Sequence, residues 1–251
     1  MSTDIISPTD ARGHPAWTGV IVSVQVGQVA PLGPHGVASG FVKSAVTGPV
    51  AIRRLGVAGD IQANLRVHGG PDKAVYLYPS EHYIAWRREA PEHATMLAPG
   101  GFGENLTTLG LDEDAICIGD ILRTGSALLQ VTQPRQPCFK LALRFADPRL
   151  PRMMQQTGRS GWYARVLEDG VVESLSPIIV AKRPNPAWPV SRFARLIARH
   201  SSTLEEMVEL SDLPGLAAHW RQTATASVEQ AALRHLRLAA TAGSAFTLSV
   251  V

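Results

Sequence analysis

A single thiol set between two cations is the first place in this chain where residue types and spacing converge on chemistry. Residues 129–145 read L-Q-V-T-Q-P-R-Q-P-C-F-K-L-A-L-R-F, which puts Cys138 three positions after Arg135 and two before Lys140. Gln130, Val131 and Thr132 read as the end of a strand, and Pro134 and Pro137 bar further ladder pairing, so the chain must turn at the cysteine. Beyond it, Phe139, Leu141, Ala142 and Phe145 recur at near-helical spacing, which predicts a short helix whose first turn holds the sulfur. A helix N-terminus and flanking cations both favour the thiolate, the form that attacks electrophiles and ligates soft metals. A small buried hydrophobe reads the same way, and this segment does not separate the two.

Lysine is scarce and oddly placed. The chain has twenty arginines but four lysines, at 43, 73, 140 and 182. Lysine is a compact point charge suited to phosphate, and three of the four fall in segments that are unusual on other grounds. Lys43 lies near a strand end, between Gly40 and the Thr47-Gly48-Pro49 turn. Lys73 follows V-H-G-G-P-D, where Gly69 and Gly70 permit close backbone approach, as in an anion-cradling turn. The pattern is not G-x-x-x-x-G-K-[ST], so nucleotide hydrolysis is not implied. His68 is a candidate ligand contact or a satisfied structural histidine, and Asp72 reads as a turn former. A second glycine-rich loop, A-P-G-G-F-G-E-N-L-T, brings Asn105 and backbone amides toward an anionic or heterocyclic ligand, or else is a plain connector. The candidate binding set is therefore Lys43, His68, Lys73, Asn105, Arg135 and Lys140, around Cys138.

The elements that must position these residues are mostly short strands. W-T-G-V-I-V-S-V-Q-V, P-V-A-I-R-R-L, K-A-V-Y-L-Y, D-A-I-C-I-G-D-I-L-R-T-G, S-A-L-L-Q-V-T-Q and P-I-I-V-A-K-R are separated by turns, the pattern of a barrel. Ser80 can cap a helix over E-H-Y-I-A-W-R-R-E, and Asp169-Gly170 marks a hairpin. The expected organisation is a flexible arm over 1–16, a β-barrel domain over 17–183, a three-helix domain over 184–225 and a tail over 226–251. In the helical part, Ser191 can cap a first helix, Thr203 and Glu206 form a capping box, and a third short helix carries Leu216, Ala217 and Trp220. That unit reads as a packing or dimerisation element, which makes a homodimer one expected assembly.

Composition removes several classes. At 251 residues and 45% apolar content there is ample material for a core. No apolar stretch approaches a bilayer span and the N-terminus lacks a secretory pattern, so the expected location is the cytoplasm, with no membrane partner. Cys117 and Cys138 form neither a disulfide framework nor a C-x-x-C zinc site, and Cys117 reads as a core strand residue. His82 and His93 lack the H-E-x-x-H spacing of a zinc hydrolase. The net charge of +3 is spread rather than striped, which argues against nucleic acid as a partner.

The ordered set G-D-I-Q-A-N, V-H-G-G-P-D-K-A-V-Y-L-Y, E-H-Y, G-G-F-G-E-N-L, I-G-D and Q-P-R-Q-P-C-F-K-L resembles the MOSC domain, the family named after the C-terminal domain of molybdenum cofactor sulfurase. The resemblance runs from Trp17 to Arg183 and looks closest to the YiiM-like subgroup, whose small three-helix domain residues 190–222 resemble. It implies a β-barrel with a few helices, a molybdenum cofactor of the molybdopterin type, and a cysteine that ligates molybdenum or carries sulfur, which Cys138 matches. The family's motif lysine falls on Lys73 and its motif asparagine on Asn105. Asn64 departs from the pattern, where the family has an aspartate, and this puts an acid or base role there in doubt. The resemblance further implies reduction of N-hydroxylated small molecules, N-OH to N-H, with a separate reductase as electron donor, because two cysteines cannot hold an iron–sulfur cluster. The alternatives are a cofactor or sulfur carrier without turnover, a DNA-binding regulator built on the three helices and, least favoured, a pyridoxal phosphate enzyme with Lys73 as Schiff base.

Overall fold

A computed structural model of the chain describes residues 18–64, 69–199 and 201–246. The N-terminal arm and His68 lie outside the described residues. The fold is mainly β, a barrel with helices packed on its outside, as the strand pattern predicts. Seven strands close the barrel: β1 (Thr18–Val26), β7 (Val75–Pro79), β8 (Leu106–Leu109), β9 (Ile121–Thr124), β10 (Ala127–Pro134), β11 (Trp162–Glu168) and β13 (Pro177–Lys182). Their order is β13-β9-β10-β11-β7-β8-β1, and β1 pairs back onto β13 through Thr18 and Ile179, so the sheet has no open edge there. All these pairs are antiparallel except β7 with β8, which are parallel and need a crossover. That crossover is helix α1 (Glu81–Glu89) and the glycine-rich loop. Ser80 precedes the helix without making a side-chain cap bond, so the expected cap is not formed.

Short strands fill the periphery. β2 (Ala30–Leu32) pairs with β3 (Val37–Ser39), and β4 (Ser44–Val46) adds to β1. β5 (Val50–Arg53) pairs with β6 (Gly56–Val57) and with β12 (Gly170–Val172). The hairpin expected at Asp169-Gly170 is thus not made: β12 leaves β11 and pairs with β5 instead. Cys117 is buried, but on an isolated bridge to Pro189 rather than in a strand.

Strand alternation divides the apolar residues into two cores. Val75, Leu77, Leu106, Leu129, Val131 and Trp162 point into the barrel, whereas Tyr76 and Tyr78 point outward to Tyr83, Trp86, Phe102, Leu141, Phe145 and Met154. Helices α2 (Phe139–Phe145) and α3 (Leu150–Thr157) cover this outer core. Burying each large aliphatic side chain contributes roughly 1.5–3 kcal/mol, so both cores stabilise the fold.

The C-terminal helices are α4 (Val190–Arg199), α5 (Leu204–Asp212) and α6 (Ala218–Phe246). Thr203 and Glu206 make the reciprocal capping box. Ser191 lies inside α4 and donates to Asp114 Oδ1, so it is no cap. The third helix is not short, and it crosses the expected boundary at residue 225. Nor does the helical unit keep a separate core: Trp188, Val190, Phe193, Leu210 and Leu216 belong to the same apolar cluster as the barrel interior.

Candidate functional site

One pocket, open to solvent on one side, collects Lys43, Lys73, Asn105, Arg135, Cys138 and Lys140. It lies against the outer face of β7 and β11, where Tyr76 and Tyr163 stand side by side with ring centroids 5.1 Å apart. Six of the seven residues singled out from sequence therefore share one cavity, and the seventh, His68, is outside the described residues.

The cysteine corner forms as the prolines demand. β10 ends at Pro134, and Arg135 N still donates to Gly161 O (3.1 Å) before the chain turns away. Cys138 then adopts extended backbone, φ −128° and ψ 169°, as the residue capping α2, and is half-buried on the pocket wall. Cys117 has a different environment. Burial, with Asp120 beside it, pushes its thiol up to about 11. Iodoacetamide at pH 8 is accordingly expected to label Cys138 and spare Cys117; equal labelling in the folded protein would contradict this placement.

The cations differ in what they face. Lys43 Nζ sits 2.6 Å from Asp60 Oδ2, both side chains nearly buried. Burial lowers the Lys43 pKa, and Asp60 and Glu104 oppose that shift. Asp60 is itself held by Gly27 N (2.7 Å) and Asn105 Nδ2 (2.9 Å). Arg135 is only 5% exposed, donates from Nη1 to Met154 Sδ (2.8 Å), and lies over the rings of Phe41 and Tyr76 at 5.9 and 5.7 Å. Lys140, 8% exposed, donates to Ala38 O (3.2 Å). Among the described residues neither Arg135 nor Lys140 has a carboxylate within ion-pairing distance, so two buried charges in this wall lack counter-charges. Lys73 is half-buried at the end of a one-turn helix, Pro71–Lys73; burial lowers its pKa and Asp72 opposes this.

The glycine loop does not offer amides to a ligand. Gly100 and Phe102 N–H turn inward to the buried Glu104 carboxylate, which also accepts from Tyr83 and Thr107 hydroxyls. Gly103, at φ +80°, brings the loop so close that a Cβ there would lie 3.1 Å from Phe41 O. The loop is a rigid wall. Asn105 is likewise engaged: its Oδ1 accepts from Tyr76 N (3.1 Å), while its Nδ2 donates to Asp60 and Gln25.

Sequence reasoning missed Phe41, Asp60, Tyr76, Gln136 and Tyr163. Asp60 carried a signal, since its G-D turn opens one of the motifs. The tyrosines carried none, because only the strand register that sets Tyr163 opposite Tyr76 makes them neighbours.

The MOSC domain family matches residues 64–178. Protein YiiM of Escherichia coli K12 is 39% identical to this chain over 80% of it and 89% of the relative. The chain belongs to the YiiM-like MOSC-domain proteins. A Gibberella moniliformis protein named a reductase is 37% identical over 85% of this chain, which spans only 38% of that relative. The crystal structure of YiiM from Geobacillus stearothermophilus superposes with a TM-score of 0.70 at 36% identity, covering 84% of this chain and 99% of that one. The MOSC family is linked to the molybdenum cofactor, and the donor set in the pocket fits such a group: one soft sulfur, two buried cations without counter-charges and flat aromatic walls. Among the described residues no helix is long and apolar enough to cross a membrane.

Proposed function

We propose that this MOSC protein is a reductase of N-hydroxylated small molecules that works with a molybdenum cofactor in the pocket beside Cys138. The observation that carries the reading is the half-buried thiol sharing one cavity with Arg135 and Lys140, two buried cations without carboxylate partners among the described residues. A dithiolene pterin ends in a phosphate, and Arg135, Lys140 and Lys73 would neutralise it through charge-assisted hydrogen bonds. Lys43 is the weaker candidate, because Asp60 already answers its charge. Cys138 supplies the soft donor, and Pro134 and Pro137 keep its backbone stiff. Phe41 and Tyr163, part-exposed on the wall, offer faces on which a heterocycle stacks, with Tyr76 and Phe102 buried behind them. Burial holds the Tyr76 and Tyr163 phenols protonated beyond their ordinary range, so neither competes as an anion.

When bound, the cofactor supplies two-electron redox chemistry and a place for oxygen. The reaction consumes two electrons and two protons, breaks N–O, forms N–H and releases water. The electrons come from a separate reductase. The test is turnover of a hydroxylaminopurine and a hydroxamic acid by cofactor-loaded protein with reduced methyl viologen. Stoichiometric loss of N–OH, with a rate about 100-fold or more lower in Cys138→Ala, is expected. No turnover, together with transfer of the cofactor to an apo-molybdoenzyme, would replace this reading with that of a carrier.

A further inference from the structure

The C-terminal helices reach the pocket through one carboxylate. Asp72 Oδ2 accepts from Ala218 N (2.7 Å), the first amide of the 29-residue helix α6, and Asp72 Oδ1 pairs with Arg165 Nη2 at 2.9 Å. The same Arg165 nitrogen donates to Leu216 O (3.1 Å), and Ala217 N donates to Thr132 O (3.1 Å). The Thr132 hydroxyl returns to Asp72 O at 2.7 Å. Gly215, at φ +84°, seats this strap on the barrel, because a Cβ there would lie 2.5 Å from Gly119 Cα. His219, the second residue of α6, feels the arrangement: burial and Lys73 push its pKa down, and Asp72 opposes them. Asp72 is thus more than the turn former that its sequence context predicts.

We propose that Asp72 is a positioning residue of the pocket, a latch by which the start of α6 holds the turn Pro71–Lys73 and so sets where the Lys73 ammonium meets an anionic ligand. An unlatched turn keeps the bond from Lys73 N to Gly70 O (3.0 Å) but loses the side-chain anchor that fixes its orientation. Helix α6 and the strap before it thereby belong to the binding machinery. The proposal rests on the reading of the pocket as a site for a phosphate-bearing ligand, and the experiment has two arms so that the two ideas fail separately.

In the first arm, inorganic phosphate is titrated calorimetrically into the full chain and into Asp72→Ala, Asp72→Asn, Lys73→Ala and the Asp72→Ala/Lys73→Ala double variant. Asp72→Ala and Lys73→Ala are each expected to weaken binding about fivefold to tenfold, the double variant no further, and Asp72→Asn by less than Asp72→Ala, because its one amide oxygen still accepts from Ala218 N although its NH2 loses the Arg165 pair. A loss in Asp72→Ala that adds to that of Lys73→Ala, or no loss, overturns the latch. The second arm needs no ligand: amide exchange at Lys73 and Ala74 should quicken about tenfold in Asp72→Ala and by less in Asp72→Asn. Unchanged exchange in Asp72→Ala overturns the latch even if phosphate fails to bind the parent chain, a failure that would fall on the binding reading alone.

Discussion

Arg135→Met is expected to weaken phosphate binding about 10-fold to 100-fold while leaving the unliganded protein as stable as before or more so. The affinity loss follows from removing a charge-assisted donor, a contribution of about 1.5–3 kcal/mol. The stability result follows from burial. A guanidinium 5% exposed, with rings rather than a carboxylate around it, costs solvation that the fold does not recover. Methionine fills much of the same volume without that cost, and replacing buried charges by apolar groups is neutral or stabilising by about 1–4 kcal/mol. Against this stands only the Met154 sulfur, a weak acceptor, which loses its donor. Calorimetric titration with inorganic phosphate and urea unfolding of the apo protein give the two numbers. A variant that binds normally but unfolds at much lower urea would make Arg135 a structural residue and remove the main support for an anion site.

The opposite outcome is expected at Asp120. Its carboxylate accepts from Arg183 Nε and Nη2, the latter at 2.7 Å, and from Cys117 N, with both ionic side chains buried. This pair lies where β13 hands the chain to the helical unit. Asn185 continues the link two residues later, donating to Ile118 O and Pro214 O. Burial pushes the Asp120 carboxyl up even against Arg183, so the pair is no large source of net stability. Breaking it is another matter. Asp120→Ala removes the carboxylate from a buried guanidinium that keeps its bond to Ala115 O, which costs about 3–5 kcal/mol. Urea unfolding should show that loss, and the matched apolar pair Asp120→Leu with Arg183→Met should recover much of it. A loss under about 1 kcal/mol in Asp120→Ala would mean that water or a rearranged partner already answers Arg183.

These two arginines show what a sequence reveals and what it withholds. Arg135 was legible because its neighbours are local: prolines on either side and a cysteine three positions on define the corner without any tertiary information. Lys43, Lys73, Asn105 and Lys140 were legible for the same reason, each standing at a strand or helix end beside glycine, proline or the cysteine. The partners of these residues were not. Asp60 reaches Lys43 across 17 residues and Asn105 across 45, and Tyr76 meets Tyr163 only through strand register. The hairpin at Asp169-Gly170 failed for a related reason, since a local turn signal says nothing about β5 waiting far earlier in the chain. The sequence predicts a short third helix because Thr, Gly and Ser interrupt its later turns, and these weak helix formers mask a helix that runs to Phe246. Local sequence shows Asp72 only as a turn former because its chief partners, Arg165 and the amide of Ala218, lie 93 and 146 residues away.

The most direct test of the central claim is the molybdenum and pterin content of the protein purified from a cofactor-producing host, compared with Cys138→Ala of equal purity and fold. Near-equimolar metal and pterin in the parent protein, with molybdenum lost from the variant, is the predicted result. A parent protein that carries neither, and takes up neither when cofactor is supplied, would contradict the account and leave Cys138 as a thiol in search of another role.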